Sequence, residues 1–351
     1  MKLQLFIKED YEHFLNPNRY YSYDYIHFFI LMGGRGIGKT TSITIKALKL
    51  QHYKDEQFVI IRRYKSETQK AKNMFDKIAP NIKAIGIGEG GYKFVKTIKN
   101  EKGEEKKVVI GFLLTLSLQA TFKSGINFDK VTTIIFDEAI LQRGGNFRYM
   151  TDEVEQFLEL ISTIVRLRTN YKVFILGNNL DIFNPYYEYF NLPRFNRQYI
   201  DKERGLLVEE IPPKESFKEL QSKTPLHNLI KGTAYGDYHD DNKVLIKSVG
   251  AIGNKSINAE LLIRFVVNDR TINVYVQEGF NLFIELRDKI IKDNISFVIY
   301  ENSKPNYGMV KTYRSLDISK YILDRYSRNK IINENETARE LFNVIMEEIK
   351  W

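Results

Sequence analysis

One eight-residue stretch constrains the fold of this chain more than any other feature. Residues 33–40 read Gly-Gly-Arg-Gly-Ile-Gly-Lys-Thr and match the pattern G-x-x-x-x-G-K-[ST] in full. An apolar, β-prone run precedes them (residues 26–31), and helix formers follow them (residues 41–53). Because this pattern has physical meaning between a strand and a helix, the sequence predicts a phosphate-binding loop and a nucleoside triphosphate site.

The loop residues have separate predicted roles. Backbone N–H groups curl around the phosphates, and the helix N-terminus favours their negative charge. Lys39 reaches the β- and γ-phosphates, and the Thr40 hydroxyl ligates Mg²⁺. We therefore expect nine residues to form the nucleotide site: Gly33, Gly34, Arg35, Gly36, Ile37, Gly38, Lys39, Thr40 and Thr41.

A second motif places two acids, Asp137 and Glu138, at the end of an apolar run that begins at residue 131. In the parallel sheet of a phosphate-loop enzyme, the first acid holds Mg²⁺ and the second polarises the attacking water. The next apolar run (residues 171–176) leads to Asn178, a candidate sensor of the γ-phosphate. Together these positions predict hydrolysis of ATP with Mg²⁺. GTP is not expected, because no D-x-x-G follows Asp137.

Composition limits the other classes of function. The chain has no cysteine, which excludes disulfides and thiolate catalysis, and its five histidines show no paired metal spacing. No apolar run approaches the roughly 18 residues of a membrane span, and no signal peptide opens the chain, so a soluble, intracellular protein is expected. The formal charge of +9 comes mostly from residues 1–230. This predicts a track for duplex DNA, although a generic lysine-rich surface stays an equal alternative.

Patterning along the chain predicts several further elements. Residues 92–114 alternate around a polar turn, which predicts a β-hairpin at the edge of the sheet. Residues 86–91 match G-x-G-x-x-G, but a strand pattern follows them, so we interpret them as a loop. Residues 151–169 predict a helix that ends with Arg166 and Arg168. Four tyrosines before the first strand could stack on adenine or simply pack the domain: Tyr20, Tyr21, Tyr23 and Tyr25.

The same reading predicts two domains joined by a linker. Residues 1–200 form a phosphate-loop ATPase domain of α/β class, with helices flanking the sheet. Residues 201–231 are charged and contain prolines, as in a linker or small helical hinge. Residues 232–351 predict an α+β domain whose strands largely precede its helices.

With both motifs in view, the chain resembles the DNA-packaging ATPases of small tailed phages of the phi-twenty-nine type. The resemblance covers about the first 200 residues, and beyond them only Gly232-Thr233-x-Tyr235-Gly236 matches. Besides the loop it rests on several stretches, some of which are not general ATPase motifs: Ile61-Arg62-Arg63-Tyr64-Lys65, Phe136-Asp137-Glu138, Val165-Arg166-x-Arg168 and Asn184-Pro185-Tyr186.

The resemblance implies an additional-strand, catalytic-Glu phosphate-loop fold and a C-terminal domain with a vestigial RNase H-like nuclease fold. It also implies a homo-oligomeric ring, usually of five subunits, on the portal (connector) of a procapsid in the host cytoplasm. The ring would hydrolyse ATP to pump double-stranded DNA inward. A packaging RNA is left open as a further partner, no membrane is involved, and nuclease activity is not expected.

The resemblance further implies which basic residues complete the active site. The position of Arg166 matches an arginine that acts on the neighbouring subunit. The family has a second basic residue that acts in trans, and Lys123 lies near its position in the sequence. Arg35, inside the loop, is a rival that would act in cis. The alternative for Arg166 is a favourable interaction with the dipole of its own helix.

Two other classes of function stay open from the sequence. One is a helicase-like ATPase stimulated by single-stranded nucleic acid, and the other is a nucleotide-gated scaffold that binds RNA or DNA. The DNA-contacting residues are not fixed either. Six lysines of the predicted hairpin are candidates, against the alternative of a merely solvated hairpin: Lys93, Lys96, Lys99, Lys102, Lys106 and Lys107.

Overall fold

The structure is a computed structural model of the 351-residue chain. It describes residues 11–76, 79–99, 105–122, 125–141, 149–177, 184–192, 197–233, 236, 250–301 and 304–350. The chain divides into two compact units, Met1–Leu245 and Ile246–Trp351. Within the described ranges, no helix is both long and apolar enough to cross a bilayer.

A nine-stranded sheet organises the first unit. Its strands are β1 (Phe28–Gly33), β2 (Gln57–Arg62), β3 (Ile82–Gly86), β4 (Tyr92–Lys99), β5 (Glu105–Thr115), β6 (Val131–Ile140), β7 (Lys172–Gly177), β8 (Gln198–Asp201) and β9 (Leu206–Ile211). Their order across the sheet is β3-β4-β5-β2-β6-β7-β1-β9-β8. From β5 to β9 all neighbours are parallel, so the ends of β1 and β6 lie at one edge.

Helices cover both faces of this sheet. They are α1 (Asn18–Tyr21), α2 (Lys39–Lys54), α3 (Lys65–Ala71), α4 (Glu153–Val165), α5 (Pro185–Tyr189), α6 (Glu215–Ser222) and α7 (Pro225–Ile230), with a 3₁₀ segment at Leu116–Phe122. Two apolar cores result, one containing residues of α2 and the other residues of α4. The central strands are buried on both faces because helices pack on each side, as expected for parallel strands.

The predicted hairpin and the loop before it are both confirmed. Strands β4 and β5 pair antiparallel, and β3 joins them at the edge of the sheet. The glycine-rich residues 86–91 connect β3 to β4, which are antiparallel neighbours. A dinucleotide fingerprint would have to open a helix. This segment is therefore a loop, as interpreted.

Two predicted boundaries differ from the structure. Helix α4 ends at Val165 rather than residue 169, because the backbone turns at Arg166, whose φ is 49°. The predicted linker, residues 201–231, contains β9, which pairs in parallel with β1 from Leu206 to Ile211. Only its later part forms the two short helices α6 and α7. The sheet of the first unit thus extends eleven residues beyond the predicted boundary at residue 200.

The second unit is α+β, as its sequence pattern predicts. Its strands are β10 (Ala251–Ile252), β11 (Glu260–Val267), β12 (Arg270–Gln277), β13 (Asn281–Arg287), β14 (Ser296–Glu301), β15 (Lys304–Pro305) and β16 (Ile331–Asn333). The order is β10-β16-β13-β12-β11-β14-β15. An antiparallel meander, β11-β12-β13, is extended by β14 running parallel to β11.

Three helices complete this second unit: α8 (Tyr307–Arg314), α9 (Asp317–Ser327) and α10 (Glu336–Lys350). Aromatic side chains join them to the sheet. The ring of Phe265 on β11 packs edge-on against Tyr313 of α8 at 5.1 Å between centroids. Phe342 of α10 packs against the same Phe265 ring. The unit therefore has an apolar core of its own.

Candidate nucleotide-binding and catalytic site

The glycine-rich loop lies between β1 and α2, as its sequence requires. Gly36 and Gly38 have φ values of 83° and 85°, in the left-handed region that favours glycine. A Cβ on Gly38 would lie 2.9 Å from Cβ of Phe14, and one on Gly36 would lie 3.1 Å from the ring of Phe217. Glycine is therefore required at both positions, for backbone conformation and for close packing.

Lys39 is buried at the start of α2 and points back into the loop. Its Nζ donates to the carbonyl oxygens of Gly33 at 2.7 Å and Gly34 at 2.8 Å. Burial lowers the pKa of the Lys39 ammonium to about 8, and the charge of Asp137 partly opposes that shift. A polyanion bound in the loop would stabilise the charged form of Lys39.

Thr40 and Asp137 meet across the site. The Thr40 hydroxyl donates to Oδ1 of Asp137 at 2.6 Å, which joins the first turn of α2 to the end of β6. These oxygen ligands fit Mg²⁺, which keeps few protein ligands and takes the rest from phosphates and water. Among the described residues there is no group of three or more His, Cys, Asp or Glu side chains that could hold a metal ion. A metal ion at Thr40 and Asp137 would therefore need further ligands from phosphate and water. Thr40 and Asp137 would hold the ion together with the nucleotide.

Glu138 stands in a strained backbone conformation beside Asp137. Its φ is 57° and its side chain is about half exposed, at 51%. A left-handed conformation in a residue other than glycine persists only where the surroundings enforce it, and such residues cluster at functional sites. Glu138 therefore presents its carboxylate to the open side of the site.

Arg62, the last residue of β2, contacts both acids. Its Nη2 lies 2.5 Å from Oδ2 of Asp137, and its Nη1 lies 3.1 Å from Oε2 of Glu138. The guanidinium thus balances two adjacent negative charges. From the sequence, Arg62 was noted only as part of the stretch Ile61-Arg62-Arg63-Tyr64-Lys65 that resembles the phage family, and no role in the site was predicted for it.

Arg63 explains how the backbone at Glu138 is held. Its guanidinium forms two bonds to Glu153, at 2.7 and 2.8 Å, and both side chains are fully buried. It also donates to the carbonyl oxygens of Glu138 at 3.2 Å and Ala139 at 2.6 Å. The Tyr186 hydroxyl donates to Glu153 at 2.8 Å. This buried network fixes the end of β6 and the start of α4 to each other.

Replacing Glu153 with glutamine should lower the free energy of unfolding by about 3–5 kcal/mol, because Arg63 would keep a buried charge without its carboxylate. Chemical denaturation of the full chain measures this change. Glu203→Gln, an exposed acid between β8 and β9, is the control and should change stability by less than about 0.5 kcal/mol. Equal, small effects in both variants would show that the pair does not stabilise the fold.

The two arginines after α4 have different surroundings. Arg168 donates to the carbonyl oxygens of Asp129 at 3.0 Å, Val131 at 2.5 Å and Ile164 at 2.6 Å, so it ties the helix end to the start of β6. Arg166 is exposed, and no side-chain bond joins it to the described residues. Leu167 between them is 99% exposed. Arg168 has a structural role, whereas Arg166 is presented to solvent.

Arg166 lies far from the acids of its own chain. The acids follow Phe136 near the end of β6, whereas Arg168 holds the end of α4 against Val131 at its beginning. Asp137 follows Val131 by six positions along the strand, which is about 20 Å at a rise of 3.3 Å per residue. Arg166 therefore cannot reach Glu138 of the same chain in this arrangement.

The remaining predicted residues have varied placements. Arg35 and Thr41 are exposed on the loop and on α2, whereas Ile37 is buried against Gly33. Lys123 and Asn178 lie outside the described residues, and so does Lys102 of the hairpin. Lys96 is only 7% exposed, which makes it a poor candidate for contact with DNA. Lys106 and Lys107 are exposed on β5 and remain candidates.

A phosphate loop after β1, two acids near the end of the parallel strand β6 and helices on both faces define an α/β phosphate-loop NTPase. The family model "Podovirus DNA encapsidation protein (Gp16)" matches residues 9–348, nearly the whole chain. The chain belongs to this family. The resemblance inferred from the sequence motifs is thereby confirmed.

Individual relatives agree with this assignment. The chain is 27% identical over 330 residues to a DNA packaging protein of Bacillus phage phi29, covering 93% of this chain and 95% of that protein. It is 34% identical over 256 residues to the DNA packaging protein of Bacillus phage B103, covering 73% and 75% of the two chains. The fold is similar to a chain of the phi29 viral genome packaging motor assembly, with a TM-score of 0.55, 24% identity and 96% and 99% coverage. The predicted fold class of the first unit is confirmed.

Proposed function

We propose that this chain is the ATP-hydrolysing subunit of a motor that drives double-stranded viral DNA into a procapsid. One observation carries the enzymatic part of the proposal. Lys39, Thr40, Asp137 and Glu138 converge at one edge of the sheet, with Thr40 bonded to Asp137. The partner and the direction of transport follow from the family, whose relatives are DNA packaging proteins.

The chain supplies four separate contributions to hydrolysis. Loop N–H groups and Lys39 bind the phosphates and balance their charge. Thr40 and Asp137 would hold Mg²⁺, and the ion would supply further neutralisation of the phosphate oxygens. Glu138 accepts a hydrogen bond from the attacking water and orients it. Arg62, bonded to both acids, sets where the Glu138 carboxylate lies relative to Asp137.

The geometry favours a ring in which neighbours share active sites. Arg166 is exposed at the end of α4 that Arg168 holds against the start of β6, whereas the two acids lie near the other end of that strand, so a catalytic role for Arg166 would be exerted in a neighbour. Head-to-tail contacts of this kind close into rings when the rotation permits. We propose a homo-oligomeric ring of five subunits that acts at the portal of a procapsid in the host cytoplasm, with a packaging RNA as a further partner. Arg35 and Lys123 are secondary candidates for the cis and trans roles.

The second unit supports a binding role without cleavage. Its central order β13-β12-β11-β14, with β14 parallel to β11, is compatible with an RNase H-like fold. Nucleases that use two metal ions need several carboxylates close together. The described strands provide no such cluster. We propose that this unit is a vestigial nuclease domain that engages the nucleic acid or the assembly.

Linear duplex DNA should increase the rate of ATP hydrolysis of the purified chain, and the rate per subunit should rise with protein concentration as shared sites assemble. A steady-state assay with duplex DNA, single-stranded DNA and no DNA measures this. Stimulation by single-stranded DNA alone would favour a helicase-like motor. Nucleotide binding without turnover under every condition would favour a nucleotide-gated scaffold instead.

A further inference from the structure

A cavity of about 280 Å³ adjoins the phosphate loop on the β9 side of β1. Its wall includes Ile37 of the loop and Ile211 at the end of β9. Both approach Gly33, where an added Cβ would lie 2.7 Å from Cδ1 of Ile37 and 2.6 Å from the Ile211 carbonyl oxygen. The cavity therefore begins where the phosphate loop begins.

The order of the strands determines which end of a nucleotide could reach this cavity. Strand β6, with Asp137 and Glu138, lies on one side of β1 beyond β7, whereas β9 lies on the other side. Because Thr40 and Asp137 mark the metal and γ-phosphate end, a triphosphate along the loop extends from there towards β9. The ribose and base would leave the loop on the side of the cavity.

The chemistry of the wall suits a flat heteroaromatic ring. It combines aromatic and apolar side chains with cations: Phe14, Ile37, Ile211, Pro212, Arg197 and Lys214. The carboxylate in the described wall, Glu209, is engaged by Arg19 at 2.6 Å and by the Tyr20 hydroxyl at 2.9 Å, so its charge is already compensated. The volume lies just below the range of about 300–1,000 Å³ for pockets that take drug-sized molecules. It suits a nucleobase and excludes a nucleic-acid chain.

We propose that this cavity holds the base of the nucleoside triphosphate bound by the loop, with Phe14 packed against the ring. This inference rests on the proposed nucleotide-binding function. It replaces the tyrosines before β1 as the base-binding candidates, since none of them lines the cavity. Tyr20 is fully buried, and the Tyr21 hydroxyl lies 3.1 Å from Thr133, so both pack the domain.

Phe14 has a second contact that the experiment must separate from base binding. It packs on Gly38 of the loop, and its ring meets Phe217 of α6 edge-on at 5.9 Å between centroids. Phe217 in turn packs on Gly36 but does not line the cavity. Phe14→Leu keeps apolar bulk at Gly38 while removing the aromatic face. Phe217→Leu is the matched control for packing on the loop alone.

The test compares binding of two ligands by calorimetric titration of the full chain with Mg²⁺ present. ATP carries a base, whereas inorganic tripolyphosphate offers only the part that the loop binds. Phe14→Leu should weaken ATP binding at least about fivefold, since contact between a base and an aromatic side chain is lost. Its affinity for tripolyphosphate should stay within about twofold of the native value. Phe217→Leu should change the two affinities by the same factor.

Each outcome decides the proposal. If Phe14→Leu weakens both ligands equally, Phe14 acts through the loop and the base site is overturned. If the variant binds ATP as tightly as the native chain does, the base site is also overturned, while the proposed function stands. If the native chain binds neither ligand, the proposed function fails and the base site fails with it.

Discussion

Replacing Arg166 with alanine should lower kcat for ATP hydrolysis by the assembled ring about 10³- to 10⁵-fold, the effect typical of a lost arginine finger. ATP binding should persist, because the loop, Lys39 and Thr40 are untouched. The stability of the monomer should change little, because Arg166 is exposed and Arg168 makes the bonds that end α4. Steady-state hydrolysis at saturating duplex DNA, with ATP titration alongside, separates these effects.

Arg328→Ala is the matched control for this variant. Arg328 also follows a helix directly, α9, and its side chain is 67% exposed. It lies in the second unit, outside the ATPase sheet. Its replacement should leave kcat unchanged within a factor of about two.

A mixing experiment shows whether Arg166 acts in the neighbouring subunit. Rings assembled from Arg166→Ala and Glu138→Gln chains contain some interfaces that join an intact Glu138 to an intact Arg166. Such mixtures should recover part of the hydrolysis that each variant lacks alone. If no ratio of the two variants recovers activity, the trans assignment is wrong and Arg35 becomes the leading candidate.

Replacing Glu138 with glutamine should lower kcat about 10²- to 10⁴-fold, because the amide cannot accept the proton or polarise the attacking water. This corresponds to about 3–5 kcal/mol of transition-state stabilisation. Affinity for ATP should be preserved or increased, since Lys39, Thr40 and Asp137 remain. Single-turnover hydrolysis beside equilibrium binding of ATP measures both quantities.

Glu105→Gln serves as the control for this loss of one negative charge. Glu105 is an exposed acid at the start of β5, away from the phosphate loop. The Glu105→Gln variant should hydrolyse ATP at the native rate. If Glu138→Gln retained more than about a tenth of native kcat, Glu138 would not be the group that activates water.

The arrangement of the candidate nucleotide site was predictable because its signals are local in sequence. The left-handed backbone at positions 36 and 38 favours glycine, which Gly36 and Gly38 supply. Lys39 and Thr40 then open the helix that directly follows the loop, where their side chains can reach phosphate and metal. Asp137 and Glu138 follow an apolar run whose burial on both faces is visible as a pattern. Parallel pairing then brings the two strand ends together, as the bond from Thr40 to Asp137 shows.

The buried network that holds the backbone at Glu138 could not be predicted from local sequence patterns. Arg63 and Glu153 are 90 residues apart, and the spacing of charges along the chain does not indicate that they meet in the core. Glu153 lies in the first turn of α4 beside exposed Glu155, where acids favour a helix N-terminus, so its position alone does not indicate a buried ion pair. The ion pair between Arg63 and Glu153 forms only because the tertiary fold packs β2, β6 and α4 together.

Two other differences have the same origin in long-range contacts. Strand β9 pairs with β1 across more than 170 residues, whereas its charged, proline-containing surroundings resemble a linker. At Arg166 the backbone adopts a positive φ without glycine, so the end of α4 carried no local signal. That turn separates exposed Arg166 from Arg168, whose bonds to backbone carbonyl oxygens no local pattern indicates.

The most direct test of the account is packaging itself, measured as DNA that becomes resistant to nuclease inside portal-bearing procapsids supplied with ATP. The native chain should protect full-length duplex DNA, with protection proportional to ATP consumed, and Glu138→Gln should protect none. Protection by Glu138→Gln equal to that of the native chain would contradict an ATP-driven motor. Absence of protection by a native chain that hydrolyses ATP and binds the procapsid would contradict the packaging role.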